Sequence, residues 1–83
     1  MYYRCTARFI QSRRLELDLS QEDVARAVGC SKVFISSLES GRAGVPSTKC
    51  GALAAVLKVR RGQIVDVMMR DYRRLYEEEV RCG

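Results

Sequence analysis

Lys32, Val33, Ser36 and Ser37 surround two apolar residues, Ile35 and Leu38, spaced three apart. At helical spacing Ile35 and Leu38 turn inward, which leaves the other four on the exposed side near the start of the helix. An ammonium group, a branched aliphatic and two hydroxyls perform no covalent chemistry in such an arrangement. They can donate to guanine O6 and N7, touch a thymine methyl, and hydrogen-bond to base edges or phosphates. Covalent chemistry has no foothold elsewhere. The chain has no histidine, no glycine-rich phosphate loop, no metal-ligand cluster and no nucleophile beside a plausible base. No enzymatic activity, cofactor or bound metal is therefore expected, and Glu77-Glu78-Glu79 reads as a solvated helix end.

Two short helices must position those residues. In residues 20–41, Ser20 caps the first through its hydroxyl, with Glu22 and Asp23 at the positive end of the helix dipole and Asp23 placed for a capping box. Val24, Ala25 and Val28 form its buried stripe, and Gly29 ends it. Ser31 caps the second helix, about residues 31–40, and Gly41 closes it. A small residue at Ala25, a glycine turn and inward aliphatics on the second helix describe two helices that cross closely. That unit is suited to placing its second helix in the major groove of DNA.

Three further helices are predicted, so the fold class is all-α, one domain over residues 1–83. The first helix runs from about Thr6, a candidate cap, to Leu17, with Ala7, Ile10 and Arg14 on one face. The fourth starts at Ser47 or Thr48, acting as cap, and runs to Leu57 with Cys50, Leu53, Ala54 and Leu57 inward. Gly51 interrupts it at a cost of about 1 kcal/mol relative to alanine, which suggests close approach of another backbone. The fifth and longest helix runs from about Gly62 to Val80. Its stripe is Ile64, Val65, Met68, Tyr72, Leu75 and Tyr76, of which Val65, Met68, Tyr72 and Leu75 resemble part of a heptad seam. Arg73 with Glu77 and Arg74 with Glu78 are spaced for ion pairs on the outer face. Phe34 is expected to pack under the following loop, near Val45 or Pro46.

The charge is unevenly spread. The net charge is +5, yet residues 1–61 carry 11 basic and 5 acidic residues while residues 62–83 carry 4 and 5. The basic lobe coincides with the two-helix unit, as a polyanion partner would require. Arg8 and Arg26 add to it or are simply solvated. With 47% hydrophobic residues the chain can build a core, and burial against a second copy would supplement it. The four cysteines form no CxxC pair. Cys30 and Cys50 read as small core residues, and Cys5 and Cys82 as residues near frayable ends. No apolar leader and no membrane-length run are seen, so a cytoplasmic protein without membrane association is expected.

The ordered pieces resemble one family. Leu19-Ser20-Gln21-Glu22-Asp23-Val24-Ala25 is similar to the LSQxxLA opening of the lambda-repressor-like (Cro or Xre type) helix-turn-helix family. Ile35-Ser36-Ser37-Leu38-Glu39-Ser40-Gly41 resembles its ISxxExG close, and Leu53-Ala54 through Leu57 and Val59 its LAxxLxV helix. The resemblance spans residues 7–59. It implies a structural ion pair between Arg14 and Glu39. It also implies base contacts from Lys32, Val33, Ser36 and Ser37, with Lys32-Val33 standing where relatives often carry a polar pair. Gln21 would contact a phosphate and brace the second helix, and Ser31, Arg42 and Lys49 would contact phosphates as well.

The expected function is sequence-specific binding of double-stranded DNA by a small bacterial or phage transcriptional regulator, with repression as the expected sign. Ile64 and Val65 would face inward, and Met68, Tyr72, Leu75 and Tyr76 would form a homodimer interface, so that two copies read a near-palindromic operator. The alternative is an antitoxin whose last helix binds a toxin protein and which autoregulates its operon. A weaker alternative is an activator that contacts polymerase.

Overall fold

The computed structural model describes residues 2–82, with Cys82 described for its backbone only; the notion of Cys82 as a frayable thiol lies outside the described residues. Five helices occur in order: α1 (Arg4–Glu16), α2 (Gln21–Val28), α3 (Lys32–Glu39), α4 (Ser47–Leu57) and α5 (Arg61–Cys82). Helix α1 packs on α3, α4 and α5, while α2 packs on α3 and α4. Their shared core contains Ile10, Val24, Ala25, Val28, Ile35, Leu38, Leu53, Ala54, Leu57, Ile64 and Met68. Among the described residues no helix is long and apolar enough to cross a membrane.

The helix ends explain why this packing is stable. In α2, the Ser20 hydroxyl accepts from the Asp23 N–H at 2.9 Å and the Asp23 carboxylate accepts from the Ser20 N–H at 3.0 Å, which completes the capping box. Gly29 follows in the left-handed region at φ 81°, ψ 38°, a conformation any Cβ would oppose. Two other ends are closed by distant side chains. Arg13 Nε donates to the Leu57 carbonyl at 2.9 Å, which satisfies an orphan acceptor at the end of α4. The carboxylate of Asp71, on α5, accepts from the N–H groups of Cys5 and Thr6, each at 2.9 Å, and from the Thr6 hydroxyl at 2.7 Å.

Asp71 corrects the expected start of α1. Thr6 does not cap this helix: it lies inside it, fully buried, and α1 begins two residues earlier at Arg4. An acceptor held on α5 takes the place of a local cap, so a turn that local sequence would leave frayed is ordered. Cys5, expected to lie near a loose end, has its amide fixed by the same carboxylate.

Other expectations also change. Neither Ser47 nor Thr48 caps α4. The N-cap is Pro46, in extended conformation, so Ser47 is already helical and its hydroxyl is misplaced for capping. Gly51 does not admit another backbone; a Cβ there would meet only the Arg61 Cδ, at 3.7 Å. The glycine required by close approach is Gly44, where a Cβ would lie 2.9 Å from Met68 Cε and 3.0 Å from the Tyr3 ring. Cys30, Cys50 and Phe34 are half-buried and pack on the core from its edge.

On α5 the inward and outward faces differ from the sequence expectation. Ile64 is buried, but Val65 is 48% exposed. Met68 is buried in its own protomer, over Gly44, where its sulfur accepts from the Val45 N–H at 3.4 Å. It is therefore a core residue and not one of the exposed apolar side chains of α5. Leu75 is half-buried, and Tyr72 and Tyr76 are exposed. The apolar side chains on the open face are Val65, Met69, Tyr72, Tyr76 and Val80, one helical position round from the expected seam.

Two predictions follow from the helix ends and α4. Burial by itself raises the Asp71 carboxyl pKa, but the hydrogen bonds from Thr6 and Cys5 outweigh it and hold the pKa below the ordinary value. The stabilisation is thus complete above the unfolded pKa of about 3.9 and lost as pH falls through the lower folded value. Asp71→Asn should lower the unfolding free energy in urea by about 1–3 kcal/mol at neutral pH, and the difference from wild type should shrink below about pH 4. Gly51→Ala should raise the unfolding free energy by about 1 kcal/mol, measured the same way, because the added methyl is accommodated and helix propensity improves.

Candidate nucleic-acid interface

Helix α3 is the centre of the candidate site. The Ser31 hydroxyl caps it by accepting from the Phe34 N–H at 3.1 Å. Ile35 and Leu38 are fully buried, which fixes the helix's rotation about its axis. Lys32, Val33 and Ser36 are consequently exposed, and Val33 is 75% exposed although aliphatic. Ser37 is half-buried, and its carbonyl accepts from the N–H groups of Arg42 and Ala43 and from the Ser40 hydroxyl. Its backbone thus shapes the turn after α3, while Lys32, Val33 and Ser36 stand free.

The far end of α3 is locked. Arg14 Nε lies 2.6 Å from Glu39 Oε2, and Arg14 Nη2 donates to Glu39 Oε1 at 2.9 Å, a two-pronged ion pair. Arg14 Nη1 donates to the Leu19 carbonyl at 2.7 Å, and Gln21 Nε2 donates to Glu39 Oε1 at 3.3 Å. One cluster therefore ties together α1, the start of α2 and the end of α3. The Glu39 side chain is only 3% exposed, so both of its oxygens are served by these donors and not by solvent. Its hydrogen bonds in turn hold the Arg14 pKa above the usual guanidinium value.

The surrounding cations are arranged differently from one another. Lys49, on the first turn of α4, reaches back so that Nζ donates to the Gly29 carbonyl at 3.4 Å. Its ammonium therefore sits beside the α2–α3 turn, close to where Ser31 opens α3. Arg42 is exposed beyond the other end of α3. Arg26 pairs with Glu22 at 3.5 Å on the exposed side of α2, and Arg8 is exposed on α1. Among the described residues no group of histidine, cysteine, aspartate or glutamate is placed to hold a metal ion.

Sequence reasoning missed Arg13, Asp71 and Met69. Asp71 had a signal: an acid seven residues from Ile64 and three from Met68 lies on the apolar face of α5, where a charge requires a partner. Met69 could be separated from Met68 only by knowing how α5 is rotated against α1. Arg13 has no local signature, because its acceptor is a backbone carbonyl of another helix.

Replacing Arg14 by methionine should lower the unfolding free energy by about 3–5 kcal/mol, since it strands the buried Glu39 carboxylate. Replacing both Arg14 and Glu39 by apolar residues should cost less than the sum of the two single changes, as a double-mutant cycle in urea would read out.

A search of the curated proteins returned no match. A family model described as Helix-turn-helix matches residues 10–64, more than half of the chain, from the core of α1 through α2, α3 and α4 to Ile64. With α2 and α3 joined at Gly29 and an exposed α3 face ahead of a locked end, the chain belongs to the Cro/C1-type helix-turn-helix family of DNA-binding transcription regulators.

Proposed function

We propose that the protein is a homodimeric, cytoplasmic repressor that reads a near-palindromic operator in double-stranded DNA through α3. The observation that carries this reading is the exposed trio Lys32, Val33 and Ser36 on a helix whose rotation is fixed by Ile35 and Leu38 and whose end is fixed by Arg14 and Glu39. A recognition surface needs that rigidity, because base discrimination is lost when a donor is free to follow either base.

Within this reading, Lys32 donates to guanine O6 and N7, Val33 contacts a thymine methyl, and Ser36 and Ser37 bond to base edges or to the adjoining backbone. Ser31 keeps its hydroxyl proton for a phosphate while its oxygen serves the cap. Gln21 gives one amide hydrogen to Glu39 and retains a second for phosphate. Lys49 and Arg42, at the two ends of α3, clamp the backbone on either side. These contacts set affinity and register, and the α3 side chains set sequence choice. Repression follows from occupancy: a small dimer covering an operator excludes polymerase without needing a further domain. Half-sites lie about one helical turn apart, as for other two-fold readers.

Selection of bound sequences from a random DNA pool tests this directly. The recovered site should be a near-palindrome. Lys32→Ala should relax discrimination at one base position in each half-site by about 1–3 kcal/mol while leaving the fold intact. An unchanged preference in the variant would remove Lys32 from the base-reading set, and recovery of no common sequence would overturn the operator reading.

A further inference from the structure

The open face of α5 and the order of charges along it specify how two copies would meet. Val65, Met69, Tyr72 and Tyr76 are spaced 4-3-4 and lie between 48% and 69% exposed, with Val80 continuing the row at 62%. The first three of them, Val65, Met69 and Tyr72, line a groove of about 500 Å³ between α4 and α5, whose walls also include Cys50, Gly51 and Arg61. Beyond Leu75 every residue from Tyr76 to Arg81 is exposed, so the last turns of α5 project past the body of the protomer.

The charges on α5 oppose its own dipole. Arg60 and Arg61 stand at the positive end, where acids are favoured, and Glu77-Glu78-Glu79 stand close to the negative end, where only Arg81 complements it. What is unfavourable within one helix is complementary between two that run in opposite directions. We propose that α5 pairs antiparallel with α5 of a second copy, with Val65 against Tyr76 and Met69 against Tyr72, the projecting end of each copy lying along the α4–α5 groove of the other. This inference rests on the homodimer reading above and adds the orientation, the register and the residues.

The flanking residues select this orientation. Arg61 and Glu79 are separated by about five full turns, so they share one flank of the seam, and Asp66 and Arg73, about two turns apart, share the other. In an antiparallel pair each flank meets the same flank of the partner. The register that joins Val65 to Tyr76 therefore also brings Arg61 to Glu79 and Asp66 to Arg73, each pair occurring twice by symmetry. Among the described residues, Arg61, Asp66 and Glu79 make no ion pair within the protomer, and Arg73 pairs only with exposed Glu77. A parallel pair would set the two acidic ends side by side, and the two Arg60-Arg61 starts likewise.

Sedimentation equilibrium of the full chain at low salt tests the proposal with Arg61→Glu, Glu79→Arg and the double exchange. Each single change should weaken the dimer about tenfold by turning two attractive pairs into two repulsive ones, and the double exchange should return it to near the wild-type value. Each single change also favours the α5 dipole, so helicity by circular dichroism should not fall. A wild-type dimer that is insensitive to the single changes, or not restored by the double exchange, overturns the antiparallel register while leaving the homodimer standing. A wild-type chain that stays monomeric throughout overturns both.

Discussion

The buried carboxylate of Glu39 governs the arrangement of the DNA-reading unit. With its side chain only 3% exposed, it takes its hydrogen bonds from Arg14 and Gln21. Arg14 is on α1 and also holds the Leu19 carbonyl, so satisfying one charge brings together the first helix, the entry to α2 and the exit from α3. Hydrophobic packing of Ile35 and Leu38 sets which way α3 faces. The ion pair sets where its far end lies. Packing alone tolerates small slides and rotations, whereas a two-pronged ion pair in a site poor in water does not.

A second constraint works at the helix ends. Short helices leave unsatisfied backbone groups at each end, and several of these ends lie where water cannot serve them well. Asp71 answers the first turn of α1 and Arg13 answers the last turn of α4. Both link elements far apart in the chain, so the ends of one helix become the fixings of another. Through Asp71, the rotation of α5 is tied to α1, and through α1 to Arg14 and α3. The outward face of α5 and the outward face of α3 are thereby held in a fixed relation.

Legibility in the sequence followed the range of the interactions. The α2–α3 unit was readable almost to the residue, because Ser20, Asp23, Gly29 and Ser31 act within four residues of their targets and leave type-and-spacing signatures. The inward positions of α3 and α4 were equally readable from apolar periodicity. The start of α1 and the start of α4 were not. One depends on a carboxylate 65 residues away, and the other on a proline that takes the cap position without a side-chain acceptor. Met68 and Met69 mark the same limit on α5: adjacent, identical residues whose fates differ only through the helix's rotation against its neighbours.

By itself, then, the sequence determined the five helices, the turn at Gly29, the exposed identity of Lys32, Val33 and Ser36, and the basic character of the lobe that carries them. These are consequences of local backbone preference, apolar period and composition. Tertiary structure alone decided that α1 is capped from α5, that Met68 lies inside the core while Met69 lies outside, and which apolar row of α5 is left exposed. Those outcomes depend on buried polar groups finding partners across the fold, and a buried charge is satisfied by whatever element packs against it, not by its neighbours along the chain.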